Sequence, residues 1–137
     1  REEDRSMRTA IERADPGIAD QIATLLTRRL LPAIATHDRR GFGRAAARLG
    51  RLNGAWYADE QGGVYRPPAG TLVESLGNAA PITGAGQSSW GPTVWGLTDT
   101  DGVDTAREAG HRALEEATVE GDVQVVTPRN TGATLDE

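Results

Sequence analysis

Cysteine and lysine are both missing from this chain. Without cysteine there is neither a disulfide framework nor a zinc–thiolate site. Without lysine the chain has no Schiff-base or P-loop lysine of its own. Aromatic residues are few: three Trp, two Tyr and one Phe among 137 residues. The hydrophobic share of 37% must therefore come mainly from Ala, Val, Leu and Ile. That suffices for one folded domain, and a single domain over residues 1–137 is expected, with 1–15 as a lead-in segment or short helix ending before Pro16. No run of about 18 apolar residues occurs, which argues against a spanning helix. Residues 1–8 are charged and lack the apolar stretch of a secretory signal. A cytoplasmic location without membrane contact is the expectation.

What is present is arginine and acid. All fifteen basic residues are arginine, and the net charge is −5. That balance argues against a general nucleic-acid binder. Arginine suits phosphate and carboxylate recognition, because its planar fork bonds both oxygens at once. The plainer reading of the composition is an arginine-biased genome with an acidic surface.

Hydrophobic spacing organises the chain into helices followed by a mixed region. Ile18, Ile22, Leu25, Leu26 and Leu30 share one face and predict a helix over 17–36. Pro32 lies inside it and should kink or restart it. A second helix over 38–57 opens on Asp38 as its cap. Phe42, Ala45, Ala46, Leu49, Leu52 and Trp56 form its apolar stripe, with Arg40, Arg44, Arg48 and Arg51 opposite. That arginine row reads as a solvated face, the alternative being docking to an acidic surface of a missing domain or another subunit. Asn53 lies within the stripe, where an amide is unfavourable unless hydrogen-bonded. It is either satisfied by neighbouring backbone or aimed into a site between this helix and the strands.

Gln61, Gly62 and Gly63 mark a turn or a close backbone approach. Pro67 and Pro68 then open a third helix, buried through Leu72, Val73 and Leu76. Strands are predicted over 82–86 and 93–98. A turn over 99–104 offers two capping aspartates to a helix over 105–119, whose Ala106, Ala109, Ala113, Leu114 and Ala117 face inward. Gly121 is expected to end that helix. A last strand is predicted over 122–127, stopped by Pro128, before an unpatterned tail. His37 at a helix end suits the helix dipole. Neither it nor His111 has a second ligand at metal-binding spacing.

The run Thr83-Gly84-Ala85-Gly86-Gln87-Ser88-Ser89-Trp90-Gly91-Pro92 packs glycines, hydroxyls and an amide between two strands. Glycines let backbone N–H groups converge on an anion, and hydroxyls add donors. By spacing alone a glycine-rich turn is the commoner explanation. Ser88 and Ser89 have no histidine nearby in sequence, so a hydrolase triad is not indicated.

The run Gly84 to Pro92, followed by Thr93, Val94 and Gly96, resembles the third, C-terminal motif of the GHMP superfamily. In full it is similar to one branch, the beta-ribofuranosylaminobenzene 5'-phosphate synthases. Asn53-Gly54-Ala55-Trp56, Gln61-Gly62-Gly63-Val64-Tyr65 and Pro128-Arg129-Asn130-Thr131-Gly132-Ala133 agree in order and spacing. The resemblance implies condensation of phosphoribosyl pyrophosphate with 4-aminobenzoate or 4-hydroxybenzoate, releasing pyrophosphate and carbon dioxide, early in methanopterin biosynthesis. Magnesium (Mg2+) would accompany the pyrophosphate, with no protein ligand assigned.

Under this resemblance Gln87, Ser88 and Ser89 are the catalytic candidates, donating to the departing pyrophosphate. Gly84, Gly86, Gly91, Trp90, Asn53, Arg129 and Asn130 are the substrate-binding candidates. Trp90 would stack on the aromatic ring, or pack as a core indole. Arg129 and Asn130 would hold a phosphate or the benzoate carboxylate. The implied fold is α+β, a ferredoxin-like layer with helices on one face of an antiparallel sheet.

The first two superfamily motifs have no match in residues 1–82. The chain is therefore expected to be a C-terminal part that works with its own N-terminal domain and is inactive alone. The first strand of the layer would lie upstream of Arg1. Either a rearranged sheet or strand-mediated homodimerisation should follow, because an open strand edge invites pairing. Two other classes stay open: a GHMP-type small-molecule kinase, and a non-catalytic ligand-binding or interaction module.

Overall fold

The computed structural model describes residues 2–13, 15–89 and 91–132. Helix α1 spans Glu2–Arg13. Helix α2, Pro16–Leu25, begins on Asp15, whose carboxylate accepts the Gly17 N–H at 2.8 Å. Its axis continues through a π-helical turn, Leu26–Leu30, into α3, Leu31–Ala35. The Leu31 N–H donates five residues back, to Leu26 O. Pro32 explains the placement: it has no N–H to give, and a widened turn just before it re-registers the helix without breaking it.

Helix α4, Arg39–Trp56, has Asp38 as its cap, accepting the Gly41 N–H at 2.8 Å. Ala45 is buried, and Phe42, Ala46, Leu49, Leu52 and Trp56 are half-buried. Arg40, Arg44, Arg48 and Arg51 are exposed. A short α5, Ala58–Gln61, closes on Gly62 in the left-handed region. Helix α6, Ala69–Gly77, follows Pro68.

Strands β1, Gly84–Gln87, and β2, Val94–Leu97, form an antiparallel hairpin in which Gly84 faces Leu97 and Gln87 faces Val94. A 3-10 turn, Thr100–Gly102, capped by the Asp99 carboxylate, leads into α7, Val103–Ala117. The protein is thus α+β, with a sheet of two strands among the described residues. No helix among them is long and apolar enough to cross a membrane.

The core forms where α6 and α7 meet over β1. Leu72, Val73, Leu76, Ala85, Ala109 and Ala113 are buried together. The alanines of α7, expected from the sequence to pack on a sheet, let it sit close to α6. On the other side of β1 lies α4. Gly43 and Gly84 meet backbone to backbone there: a Cβ on Gly84 would overlap the Gly43 carbonyl oxygen. Such an approach requires glycine on both partners.

The C-terminal expectations need two corrections. Residues 122–127 form no strand. Val123 instead packs against α7 beside Gly110, where a Cβ would lie 2.9 Å from Val123 Cγ1. Val125 and Val126 are exposed. Alternating valines favour extended chain, but no strand edge is presented to them here. Helix α7 also ends before Gly121. Thr118 takes the left-handed conformation (φ 55°), and Val119 N–H bonds back to Leu114 O, closing the helix.

Candidate functional site

Three of the four motif stretches meet at the junction of α4, α5 and β1. Gly54 on α4 lies against the Val64 carbonyl, so close that a Cβ would overlap it. Gln61 Nε2 donates to both carbonyls of that contact, Gly54 O at 3.3 Å and Val64 O at 2.9 Å. Gln87 ties the same segment to β1: its Oε1 accepts the Arg66 N–H at 2.8 Å, and its Nε2 donates to Gly91 O at 3.2 Å. Two glutamines therefore fasten the 61–66 turn to a helix on one side and a strand on the other.

These bonds change what Gln87 is. The sequence suggested a donor to a leaving group. The structure gives a buried amide, 8% exposed, whose oxygen and nitrogen already bond the backbone. Removing such a partner strands a buried N–H. Gln87 fastens the hairpin to the 61–66 turn, with one N–H and one oxygen lone pair of its amide engaged.

Gly84 and Gly86 fall on the strand expected over 82–86. They belong to β1, which is buried along its length. Gly84 makes room for the Gly43 backbone. A Cβ on Gly86 would lie 2.6 Å from Trp95 Cζ2, so that indole occupies the space over it, toward Gly50 of α4. The amides flanking the strand are also committed. Thr83 N–H donates to Leu97 O, Ser88 N–H to Thr93 O, and Gly91 N–H to Ser88 O. Those three amides are thus spent on the hairpin and its turn, which spacing alone left unassigned.

What stays open at the hairpin tip is hydroxyl chemistry. Ser88 and Ser89 are exposed. Ser89 holds φ at 52°, a strained backbone for a non-glycine residue. Trp90, the stacking candidate, lies outside the described residues, as does Ala133 of the fourth motif. Arg129 and Asn130 are exposed beyond α7, and Arg129 Nη2 turns back to Gly132 O at 3.4 Å. Neither bonds the Gly84–Gly91 stretch among the described residues.

Among the described residues, buried polar atoms without partners fall mostly in the motif stretches. Four buried side-chain atoms make no hydrogen bond among the described residues, and three belong to 56–65: Trp56 Nε1, Gln61 Oε1 and Tyr65 Oη. The fourth is Thr98 Oγ1. Asn53 is half-buried on the same helix, and its amide bonds no described residue. Buried polar groups are nearly always paired, with protein or with ordered water. Sequence inspection picks out Asn53 at its apolar-face position. Trp56 and Tyr65 enter there only as members of motif stretches, and their polar ends matter only once the rings are buried.

The implied magnesium finds no cage in this chain. No group of three His, Asp or Glu side chains capable of holding a metal occurs among the described residues. Comparison with protein-family models, with curated proteins and with solved structures finds no match.

Proposed function

We propose that this chain forms one wall of the active site of a phosphoribosyl-transferring synthase, the class its four motifs resemble, with the opposing wall supplied by an N-terminal domain. One observation carries the reading. Motif stretches some thirty residues apart in sequence are fastened to each other through Gln61 and Gln87, and the partnerless polar atoms of Trp56, Gln61 and Tyr65 fall within them. Coincidental motif matches would have no reason to assemble. The same proposal reads β1 and β2 as the hairpin of a ferredoxin-like layer.

In this reading the roles are redistributed. Ser88 and Ser89 donate hydroxyl hydrogens to the oxygens of departing pyrophosphate, where donors aimed at developing charge lower the barrier. Gln87 holds the hairpin tip in register. Asn53 and the Trp56 indole face the aromatic acid.

The test is turnover by the full-length gene product supplied with phosphoribosyl pyrophosphate and 4-aminobenzoate or 4-hydroxybenzoate. Pyrophosphate release that depends on the aromatic acid is the expected result. Replacing both Ser88 and Ser89 by alanine should slow it by roughly a hundredfold with folding intact, the scale of losing transition-state donors. Consumption of ATP in place of pyrophosphate release would replace the proposal with a small-molecule kinase. Tight binding of the aromatic acid without any turnover would replace it with a ligand-binding module.

A further inference from the structure

Helix α4 has a second working face. At about 100° per residue, Gly43, Gly50 and Gly54 point to β1 and its surroundings, while Gly41, Arg44, Ala45 and Arg48 point the other way. On that opposite side, α4 and the α2–α3 arm enclose an open groove. Two adjoining hollows of about 680 and 450 Å³ make it up, and they share Leu25, Arg28, Arg29 and Arg48. Arg44 lines the second hollow. Buried Leu25, Ala33 and Ala45 form its apolar floor.

Charge in this groove is unbalanced. Arg28, Arg29, Arg44 and Arg48 make no ion pair or hydrogen bond among the described residues. Two carboxylates line the groove with them. Asp38 is occupied in capping α4, and Asp20 stands in the first hollow. Elsewhere the arginines Arg39, Arg107 and Arg112 do find acidic partners, Asp99, Asp104 and Glu108. The chain is net acidic, yet residues 28–51 carry seven arginines and a single aspartate. Concentrating unpaired cations in a concave site raises the local concentration of anions. The π-helical turn delivers two of these arginines, and such turns recur at functional sites.

We propose that this groove binds an organic molecule bearing two or more linked phosphoryl groups. Arginines reach it from both walls, and on α4 they repeat one helical turn apart, so the positive charge extends along the groove. Linked phosphates match an extended charge, and guanidinium forks bond their oxygens in pairs. The apolar floor accommodates the carbon part of such a ligand. The volumes suit a small molecule. The groove shares no residue with the motif junction, so the groove variants test it separately from the synthase reading, whose substrate also carries linked phosphates.

Calorimetric titration of the chain with pyrophosphate and tripolyphosphate, at low and at physiological salt, tests it. Saturable one-to-one binding is expected, stronger for tripolyphosphate than for inorganic phosphate or sulfate. Arg28→Gln with Arg48→Gln should weaken it about tenfold or more, the scale of losing charge-assisted bonds. Arg107→Gln with Arg112→Gln removes the same net charge from α7 and should leave binding within about twofold, since those groups lie outside the groove. If the first pair fails to fold by circular dichroism, Arg29→Gln with Arg44→Gln reads the same groove. Equal weakening by the α7 pair, or no saturable binding, overturns the proposal. So does self-association that vanishes in the groove variants and ignores pyrophosphate, which would assign the groove to an acidic surface of a second copy.

Discussion

The two faces of α4 carry opposite kinds of residue, and they answer the question of function in opposite ways. The sheet face is glycine, at Gly43, Gly50 and Gly54, and brings backbone against backbone. The groove face is arginine, at Arg44 and Arg48, and its charges reach no partner among the described residues. In the sequence the glycine-rich β1 looked like chemistry and the arginine row looked like a solvated surface. In the structure the glycines are committed to packing, and the arginines are what is left unpaired. A residue's chemical potential for function is what remains after folding has taken its share.

The sharpest way to break this comparison is to fill the glycine contact. Gly84→Val would drive a branched side chain into the Gly43 carbonyl, with no flexible neighbour to yield. A loss of about 3 kcal/mol or more is expected, as for overpacking at the upper end of its range. Urea unfolding measures it. A stable variant would mean that α4 and β1 can separate, and the packing account of the glycines would fall.

Next in size is Gln87→Leu. It keeps the side-chain bulk but removes the acceptor for Arg66 N–H and the donor to Gly91 O. A buried amide left unpaired costs about 1–3 kcal/mol. The variant should also speed exchange of the Arg66 amide hydrogen, which magnetic resonance can follow. Ser88→Ala, exposed one residue later, should stay within about 0.5 kcal/mol of the parent. Similar losses for both would contradict the division between a positioning glutamine and free hydroxyls.

Parts of this architecture were legible in advance because local chemistry decides them. The Asp38 cap, the apolar stripe of α4, the restart around Pro32 and the alanine face of α7 follow from neighbours within a turn. The misread parts depend on distant partners. The strand through Gly84 and Gly86 was expected, but its cover by Gly43 and Trp95 was not. Residues 122–127 have strand-like spacing but rest on α7 beside Gly110. Gln87 is bound to Arg66, twenty-one residues away. No one-dimensional pattern announces such a bond. The groove was half visible: the arginine row was seen, but the facing Arg28 and Arg29 join it only after the α2–α3 arm folds back on α4.

The smallest expected effect separates the two faces most cleanly. Arg44 and Arg48 are one turn apart on a helix, and like charges at that spacing destabilise it by about 0.2–0.5 kcal/mol. Arg28 and Arg29 add repulsion from the facing wall. Arg44→Gln with Arg48→Gln should therefore leave stability unchanged or raise it by about 0.3 kcal/mol at low salt. The gain should vanish at high salt, where screening already relieves the repulsion. Urea unfolding at two salt concentrations reads both. A salt-independent loss of about 1 kcal/mol or more, beyond the usual range for surface substitutions, would mean that the arginines hold the helices together. With no loss, the fold tolerates a repulsion that gives it nothing, and the reason for those charges lies with whatever anion they meet.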